Sequence, residues 1–561
     1  PNGYLLRPTE GEPFAYRRAG QGDNTVPNFT AVKAGNRIFY CNPLTYAQTM
    51  HLQTQRSGDS DLVYLGTDLH FRPPGFQNPE TRLVHKQLSW RIEVAGDVNN
   101  DDEVNWVDCG LAYRDRYIDS NKNKNDRVRD SYRFYHQHTP DPGHYEEMLN
   151  IIRELDFATG IWWVKGAMTC VDTTPSESHP YKVERSAMGD KAETAAAIRE
   201  TGSRVGIYYG HDYISLKWND WPEELIKLDP EGEPHRYFSN KKYKDNIRGL
   251  ATGLLKDHYE TIIETVRLAP GDPVMLDTFT AYARPGYHPD YPATAQNETE
   301  AKHEIARWLK YDQGLSVAGE GIIEGTQDVV DYGAIVYKFR RYGDFWNTEL
   351  PRQFVPLTTV IYHGSTYCGN NWYELRNRTP NWAAVMAVCG AQWDWDSRHY
   401  PKYMYAKAAR YFFNTDIFWS QIADAKIVDV DQKGTAYTIT FEDDSRIWTD
   451  PGDSIHSYWL EKDGIRYDGF TPFSTKGVMA ITRQGDIDMT LPVRDTLEIL
   501  PSQPHRDQLD IEITKSDSGH VRVRGNFSTI PWQLPYLYNK DGEEVTDIID
   551  VEPVLLLRRA D

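Results

Sequence analysis

The sequence is poor in cysteine, in basic residues and in long apolar runs. Its 561 residues include 5 cysteines, which are scattered and form no CxxC pair, so zinc sites and a disulfide framework are poorly supported. No run of about 18 apolar residues occurs, and we therefore expect no membrane span. Acidic residues outnumber basic ones by 82 to 62, and the net charge of −20 argues against nucleic acid or an anionic membrane as a partner.

Several catalytic motifs are missing as well. No Gly-rich dinucleotide fingerprint follows a predicted strand, and no P-loop, serine nucleophile elbow or HExxH sequence occurs, which disfavours dehydrogenase, ATPase, lipase and zinc-peptidase chemistry. Aromatic residues, by contrast, are abundant: 16 Trp, 36 Tyr and 19 Phe. Aromatics combined with acidic side chains suit a folded protein that handles neutral, polar, ring-shaped ligands.

The pattern of apolar residues divides the chain into three parts. Residues 1–130 and 421–561 contain short alternating stretches, which predict an N-terminal β-rich domain and a C-terminal β-sandwich. Residues 131–420 alternate apolar runs with helical patterns, and the stretch 250–268 has helical periodicity without proline. The seven strands predicted in this central part are 160–166, 204–209, 273–277, 315–318, 333–337, 357–362 and 385–389.

The predicted fold class is α/β: a distorted (β/α)₈ TIM-type barrel flanked by N-terminal and C-terminal β-rich, sandwich-like domains. The central part is close to the roughly 250 residues that are typical of such a barrel. Since seven strands are found rather than eight, a doubly wound open sheet is the alternative.

An acidic loop precedes the central part, at the end of the N-terminal domain. Oxygen-bearing side chains occupy positions 1, 3, 5, 7, 9 and 12 of a twelve-residue loop, the spacing with which an EF-hand-like loop wraps Ca²⁺. These residues are Asp97, Asn99, Asp101, Glu103, Asn105 and Asp108. Asp102 takes the position usually held by glycine and would have to adopt a left-handed conformation. A structural Ca²⁺ is therefore predicted, with a solvated acidic turn as the alternative.

Two carboxylates close predicted strands. Asp277 ends the run that begins at Pro273, and Glu320 ends the run that begins at Leu315. The carboxyl ends of barrel strands are where catalytic groups lie, and two carboxyls brought together there can act as a glycosidase pair. The alternative is that each acid caps a helix or makes a loop ion pair.

Two further pairs are candidates for binding sugar hydroxyls. His211 and Asp212 follow the strand that ends at Tyr209, and Trp393 and Asp394 follow the predicted strand that ends at Cys389. An indole can stack on a sugar ring while a carboxylate accepts hydrogen bonds from its hydroxyls. Each pair could equally be structural, the first as a helix cap and the second as a rigid loop.

These segments together resemble the retaining α-N-acetylgalactosaminidases of glycoside hydrolase families 129 and 101. Lys165-Gly166, running on to His179-Pro180, resembles their first barrel strand, and 206–211 is similar to their second. The resemblance implies that Asp277 is the nucleophile, that Glu320 is the acid/base, that Lys165 lies in the substrate site and that 97–108 is a calcium loop.

The sequence therefore predicts a hydrolase that cleaves α-linked N-acetylgalactosamine from glycans with retention of configuration. An α-glycosidase of the same mechanism acting on another sugar, such as an α-galactoside, is one alternative, and a non-catalytic carbohydrate-binding protein is the other. The expected partner is carbohydrate. The oligomeric state is open, as is the compartment, with a secreted or periplasmic location favoured over the cytoplasm.

Overall fold

The structure is a computed structural model of the chain. It describes residues 30–43, 89–118, 192–209, 251–276, 286–319, 326–337, 356–370 and 419–450 continuously, together with shorter segments, most of them strands.

The strands fall into an N-terminal, a central and a C-terminal group. The first group is β1 (Gly3–Leu6), β2 (Ala15–Arg18), β3 (Thr30–Ala34), β4 (Arg37–Pro43), β5 (Gln48–Ser57), β6 (Ser60–Leu69) and β7 (Trp90–Ala95). The second is β8 (Tyr132–Gln137), β9 (Gly160–Lys165), β10 (Met168–Thr169), β11 (Arg185–Ser186), β12 (Arg204–Tyr209), β13 (Ile214–Ser215), β14 (Asn246–Ile247), β15 (Pro273–Leu276), β16 (Ser316–Gly319), β17 (Tyr332–Tyr337), β18 (Arg352–Phe354), β19 (Tyr367–Asn370) and β20 (Asp394–Asp396).

The third group begins at residue 427. It is β21 (Ile427–Lys433), β22 (Ala436–Phe441), β23 (Arg446–Thr449), β24 (Tyr458–Lys462), β25 (Ile465–Asp468), β26 (Phe473–Thr475), β27 (Val478–Ile481), β28 (Gly485–Pro492), β29 (Leu497–Ile499), β30 (Asp510–Lys515), β31 (His520–Phe527), β32 (Ile530–Gln533), β33 (Leu537–Tyr538), β34 (Glu544–Val545), β35 (Ile548–Val551) and β36 (Leu555–Arg559). The described α-helices are α1 (Trp106–Tyr117), α2 (Asp126–Arg129), α3 (Ala192–Glu200), α4 (Leu255–Val266), α5 (Ala295–Arg307), α6 (Leu357–Tyr362) and α7 (Ser420–Ile422). A 3₁₀ turn, Thr252–Leu254, precedes α4, and a π-helical turn, Trp308–Asp312, follows α5.

A parallel sheet forms the centre of the molecule. Among the described residues it has eight strands in the order β19-β17-β16-β15-β12-β9-β8-β20, and every pairing is parallel. From β8 to β19 this order follows the chain, whereas β20, the last of these strands in sequence, lies beside β8, the first. A parallel bridge joins Gly369 in β19 to Gln392, two residues before β20.

Alternate residues of the central strands define two apolar faces. On one face lies a buried row in which each residue is the register partner of the next, namely Tyr208, Met275, Ala318, Tyr332 and Tyr367. Val128, Trp419 and Ala423 complete this set, which we call the inner cluster. The opposite face carries Ile207, Val274 and Val317, which are also buried. Burial on both faces explains why these strands are continuous apolar runs.

Two predicted strands are wrong. Residues 357–362 form helix α6, and the described residues of 385–389, which are 387 and 388, are also helical. A short apolar run that is buried on every side has the same pattern in a helix and in a strand. Helix α6 packs on α1 so closely that a Cβ at Gly110 would come within 2.9 Å of Leu357 and of Val360. Three strands of the parallel sheet, β8, β19 and β20, were not predicted from the sequence.

The two flanking regions are built from antiparallel strands. The N-terminal sheet has the order β18-β1-β2-β3-β4-β7, so it takes its outer strand from the central part of the chain. Strands β21 to β25 form an antiparallel sheet in chain order, and β22 shows the alternating burial expected of a sheet with one covered face. Within the described parts of the chain, no helix is long and apolar enough to span a membrane.

Candidate functional site

The carboxyl edge of the parallel sheet is set by backbone register. Lys165, the last residue of β9, is the partner of Tyr208, and Tyr209 ends β12 beside Leu276. Leu276 and Gly319 are in turn register partners at the ends of β15 and β16. These neighbouring strands therefore stop within one residue of one another, and the place of Lys165 in a substrate site stays a prediction.

Asp277 and Glu320 follow directly after the paired residues Leu276 and Gly319. Both acids lie outside the described residues, so their roles stay predictions. Their strands are fixed, however, because Met275 and Ala318 are partners and belong to the inner cluster. In an extended strand, side chains two residues apart share a face, so we expect acids two residues after Met275 and Ala318 to lie on the face of the inner cluster.

The other candidate sugar-binding residues have different outcomes. His211, Asp212 and Trp393 lie outside the described part of the chain. Asp394 is the first residue of β20 and the partner of Arg133 in β8. The alternative that Asp394 belongs to a rigid loop is not what the structure has, because a strand begins at Asp394, and its binding of sugar hydroxyls stays a prediction.

Three buried charged residues that sequence reasoning missed lie beside the loop after β15. Lys227 Nζ is 2.8 Å from Glu298 Oε2, and Lys302 Nζ is 3.1 Å from Glu298 Oε1. Their side chains are between 0% and 2% exposed. Glu298 and Lys302 are four residues apart on α5, and this spacing is that of an ordinary surface ion pair, so the sequence holds no signal of their burial.

The predicted calcium loop is fully described. Asp102 has a φ of 67° and Asn100 a φ of 61°, so the glycine-like position of the loop is left-handed as the spacing requires. Asp97 accepts hydrogen bonds from the amides of Asp101, at 3.2 Å, and Asp102, at 3.1 Å. Asp108 accepts from Val98 and Asn105 and forms the capping box of α1 with Asn105. The loop therefore folds around its own carboxylates.

The donor set of this loop fits a hard cation in part. Asn99 Oδ1 is shielded from solvent and accepts no hydrogen bond from the described residues, and its amide nitrogen donates to Asp429 of β21 at 2.8 Å. Burial raises the pKa of Asp429, and the nearby charge of Asp101 raises it further, while the hydrogen bond from Asn99 lowers it. A bound cation would give Asn99 Oδ1 a partner and would reduce the repulsion between Asp101 and Asp429. In the described residues, however, no three acidic, histidine or cysteine side chains enclose a metal position.

The fold and the carboxyl edge define a class of α/β proteins with a parallel eight-stranded sheet between β-rich regions. No family model and no curated protein sequence matches the chain. Among solved structures, the chain is similar to the α-N-acetylgalactosaminidase NagBb from Bifidobacterium bifidum. Its complex with Gal-NHAc-DNJ matches with a TM-score of 0.58 and 12% identity over 77% of this chain and 73% of that one.

Two further solved structures match with similar TM-scores and similarly low sequence identity. The complex of NagBb with GalNAc gives a TM-score of 0.55 and 13% identity over 79% of this chain and 73% of that one. The galactosidase domain of α-galactosidase-sucrose kinase AgaSK gives a TM-score of 0.50 and 9% identity over 100% of this chain and 73% of that one. The resemblance to α-N-acetylgalactosaminidases is thus confirmed at the level of the fold.

Proposed function

We propose that this chain is a retaining α-glycosidase that releases α-linked N-acetylgalactosamine from glycans. The observation that carries the proposal is that Leu276 and Gly319, the residues that directly precede Asp277 and Glu320, are register partners on neighbouring strands. The fold shared with NagBb supports the same reaction class. We further propose that the parallel sheet closes into a (β/α)₈ barrel, a closure supported by the bridge between Gly369 and Gln392.

The spacing of strands favours the retaining mechanism over inversion. Neighbouring strands lie about 4.8 Å apart, whereas retaining glycosidases hold their two carboxyls about 5–5.5 Å apart and inverting ones about 6.5–9.5 Å apart. Acids that follow paired strand ends on the same face are suited to the shorter separation, which leaves no room for water between the second carboxylate and the anomeric carbon.

In the proposed mechanism the two acids divide the work. Asp277 attacks the anomeric carbon as the glycosidic bond breaks, and the proton of Glu320 passes to the departing oxygen. A glycosyl ester of Asp277 is formed. Glu320, now ionised, takes a proton from water, and the resulting hydroxide displaces Asp277 to release the sugar with its original anomeric configuration.

The test is turnover of p-nitrophenyl α-N-acetylgalactosaminide by the wild type and by Asp277→Asn and Glu320→Gln. We expect Asp277→Asn to lose about 10⁴-fold or more in kcat, since it removes the nucleophile. Glu320→Gln should lose far less on this activated leaving group than on a serine-linked sugar, because nitrophenolate needs no proton. Asp272→Asn is the matched control, at the amino end of β15. Substantial turnover by Asp277→Asn would refute the assignment of Asp277 as the nucleophile.

An α-galactosidase is the second candidate, because the galactosidase domain of AgaSK also shares the fold. Comparing kcat/KM for the nitrophenyl α-galactoside and α-N-acetylgalactosaminide separates the two. Sugar binding in calorimetry without turnover of either substrate would instead indicate a carbohydrate-binding protein. Proton NMR of the first product formed, before mutarotation, distinguishes retention from inversion.

We also propose that the acidic loop holds a structural Ca²⁺ through Asp97, Asn99, Asp101, Glu103 and Asp108. A bound ion would supply the positive charge that this loop lacks and would tie α1 to the C-terminal sheet through the contact of Asn99 with Asp429. Chelation with EDTA should lower the melting temperature, and added Ca²⁺ should restore it. Asp97→Asn should abolish the response, and a wild type that melts identically with and without EDTA would count against the ion.

A further inference from the structure

The buried charges of Lys227, Glu298 and Lys302, which we call the lysine–glutamate triad, form a cluster inside the protein. Glu298 shares its two oxygens between the two ammonium groups, at 2.8 Å for Lys227 and 3.1 Å for Lys302. Charged side chains are buried only where they are paired, because their desolvation is costly. Loss of one member therefore leaves a buried charge with fewer partners, and the local structure has to adjust.

The triad joins two segments, the connection between β12 and α4 and helix α5, and contacts a third at Phe279, just after β15. Lys227 lies in the connection between β12 and α4, while Glu298 and Lys302 lie on α5. On its other side, the Lys302 ammonium is 5.4 Å from the ring centroid of Phe279, within reach of a cation–π contact. Phe279 is buried and stands two residues after Asp277.

Backbone contacts hold the same segments together around the triad. The amide of Tyr287 donates to the carbonyl of Leu228 at 3.1 Å, and the ring of His288 contacts the carbonyl of Glu224. Gly286 lies against Lys227, whose Cγ would be 3.1 Å from a Cβ at that glycine. The described residues that lead into α5, 286–294, thus lie along the segment that carries Lys227.

Two other ion pairs, each with a fully buried carboxylate, lie at the opposite edge of the parallel sheet. Arg199 pairs with Asp272 at 2.6 Å, just before β15 begins, and Lys310 pairs with Asp331 at the start of β17. In barrel enzymes the amino-terminal edge serves stability, whereas the carboxyl-terminal edge builds the active site. The triad alone among these three clusters contacts a loop that leaves the carboxyl edge.

We propose that Lys227, Glu298 and Lys302 are positioning residues that fix the loop from Asp277 to Thr294, and with it the nucleophile. The proposal rests on the function proposed above for Asp277. Lys302 acts through Phe279, while Lys227 holds the returning half of the loop, so the buried triad fastens both halves to α5. A nucleophile that drifts by about 1 Å can cost as much as 100-fold in rate, so a small loosening of this loop would register in kcat.

The test compares Lys302→Met with Arg199→Met, which removes the partially exposed cation of an ion pair to a buried carboxylate at the amino edge. Hydrogen exchange, read by mass spectrometry on peptides that cover 277–294, reports the loop without reference to activity. We expect Lys302→Met to speed exchange there about tenfold and to lower kcat about tenfold with a smaller change in KM. Arg199→Met should lower the melting temperature yet leave both the exchange of 277–294 and kcat within about twofold of the wild type.

The outcomes separate the two proposals. Unchanged exchange of 277–294 in Lys302→Met, or an equal loss of kcat in Arg199→Met, would overturn the positioning role. If the wild type hydrolyses no α-glycoside, the proposed function fails while the exchange comparison still decides whether the triad fixes the loop. Should Lys302→Met fail to fold, Lys227→Met is measured in the same way and carries the same expectation.

Discussion

His258 should make the stability of the parallel sheet depend on pH. Its ring lies on α4, is 5% exposed and contacts the hydroxyl of Tyr209 at the end of β12. Burial lowers the pKa of His258 from 6.5 to about 3. Because the folded-state pKa is the lower one, protons bind the unfolded chain preferentially. The contribution to stability is therefore complete above pH 6.5 and is lost as the pH falls toward 3.

The size of this effect follows from the pKa difference. At pH 5, about 1.5 units below the ordinary value, the unfolded histidine is protonated and the folded one is not. Each unit corresponds to about 1.4 kcal/mol, so the free energy of opening the sheet should be about 2 kcal/mol lower at pH 5 than at pH 8. Burial also lowers the pKa of His363, although its hydrogen bonds to Ala425 and Gly390 oppose the shift, and this residue adds to the loss.

The assay is native-state hydrogen exchange of the β12 and β15 amides at pH 5 and pH 8, corrected for intrinsic exchange. His258→Gln keeps a hydrogen-bonding partner for Tyr209 but has no proton to gain, so the 2 kcal/mol difference between the two pH values should largely disappear. His303→Gln is a control of opposite sign. The hydrogen bond to Asp328 raises the pKa of His303, so its stabilisation exists at low pH and is lost as the pH rises. An identical pH dependence in the wild type and His258→Gln would refute the reasoning.

Two further substitutions test packing and electrostatics. Gly206→Ala should prevent the pairing of β12 with β15, because the new Cβ would lie 2.7 Å from the carbonyl carbon of Pro273 and closer still to its oxygen; a folded variant with the wild-type melting temperature would contradict this packing. Asp429→Asn should raise the melting temperature at pH 7 in EDTA, since burial and Asp101 both oppose the charge of Asp429 while an amide oxygen can still accept from Asn99. The gain in melting temperature should shrink when Ca²⁺ is added. A lower melting temperature of Asp429→Asn in EDTA would show that the charge of Asp429 does not destabilise the protein.

Sequence patterns identified the central strands well where both faces are buried. Strands β12 and β15 are continuous apolar runs with buried residues on both faces, so their ends could be read to within a residue. The run Leu357–Tyr362 failed for the same reason, because complete burial erases the difference between a helical and an extended pattern.

The candidate site was predictable only where chemistry coincides with a strand end. Asp277 and Glu320 stand out because each is the first acid after an apolar run. Glu298 and Lys302 of the lysine–glutamate triad could not be predicted as buried, because charged residues at helical spacing usually form a solvated face, and only the folded structure shows that α5 turns these two inward. The left-handed conformation of Asp102 was predictable because the spacing of the acidic loop is local, while its Ca²⁺ stays a prediction.

The pairing of β18 with β1 has a consequence for how this chain can be divided or recombined. Tyr4 lies opposite Phe354 and Leu6 opposite Arg352, so a strand from the middle of the chain completes the first sheet. A cut near residue 130 would separate these partners and expose strand edges on both fragments, which invites aggregation. Exchange of the N-terminal region between relatives should succeed only when the segment around β18 is exchanged with it. The first sheet is therefore a structural unit built from two separate parts of the sequence.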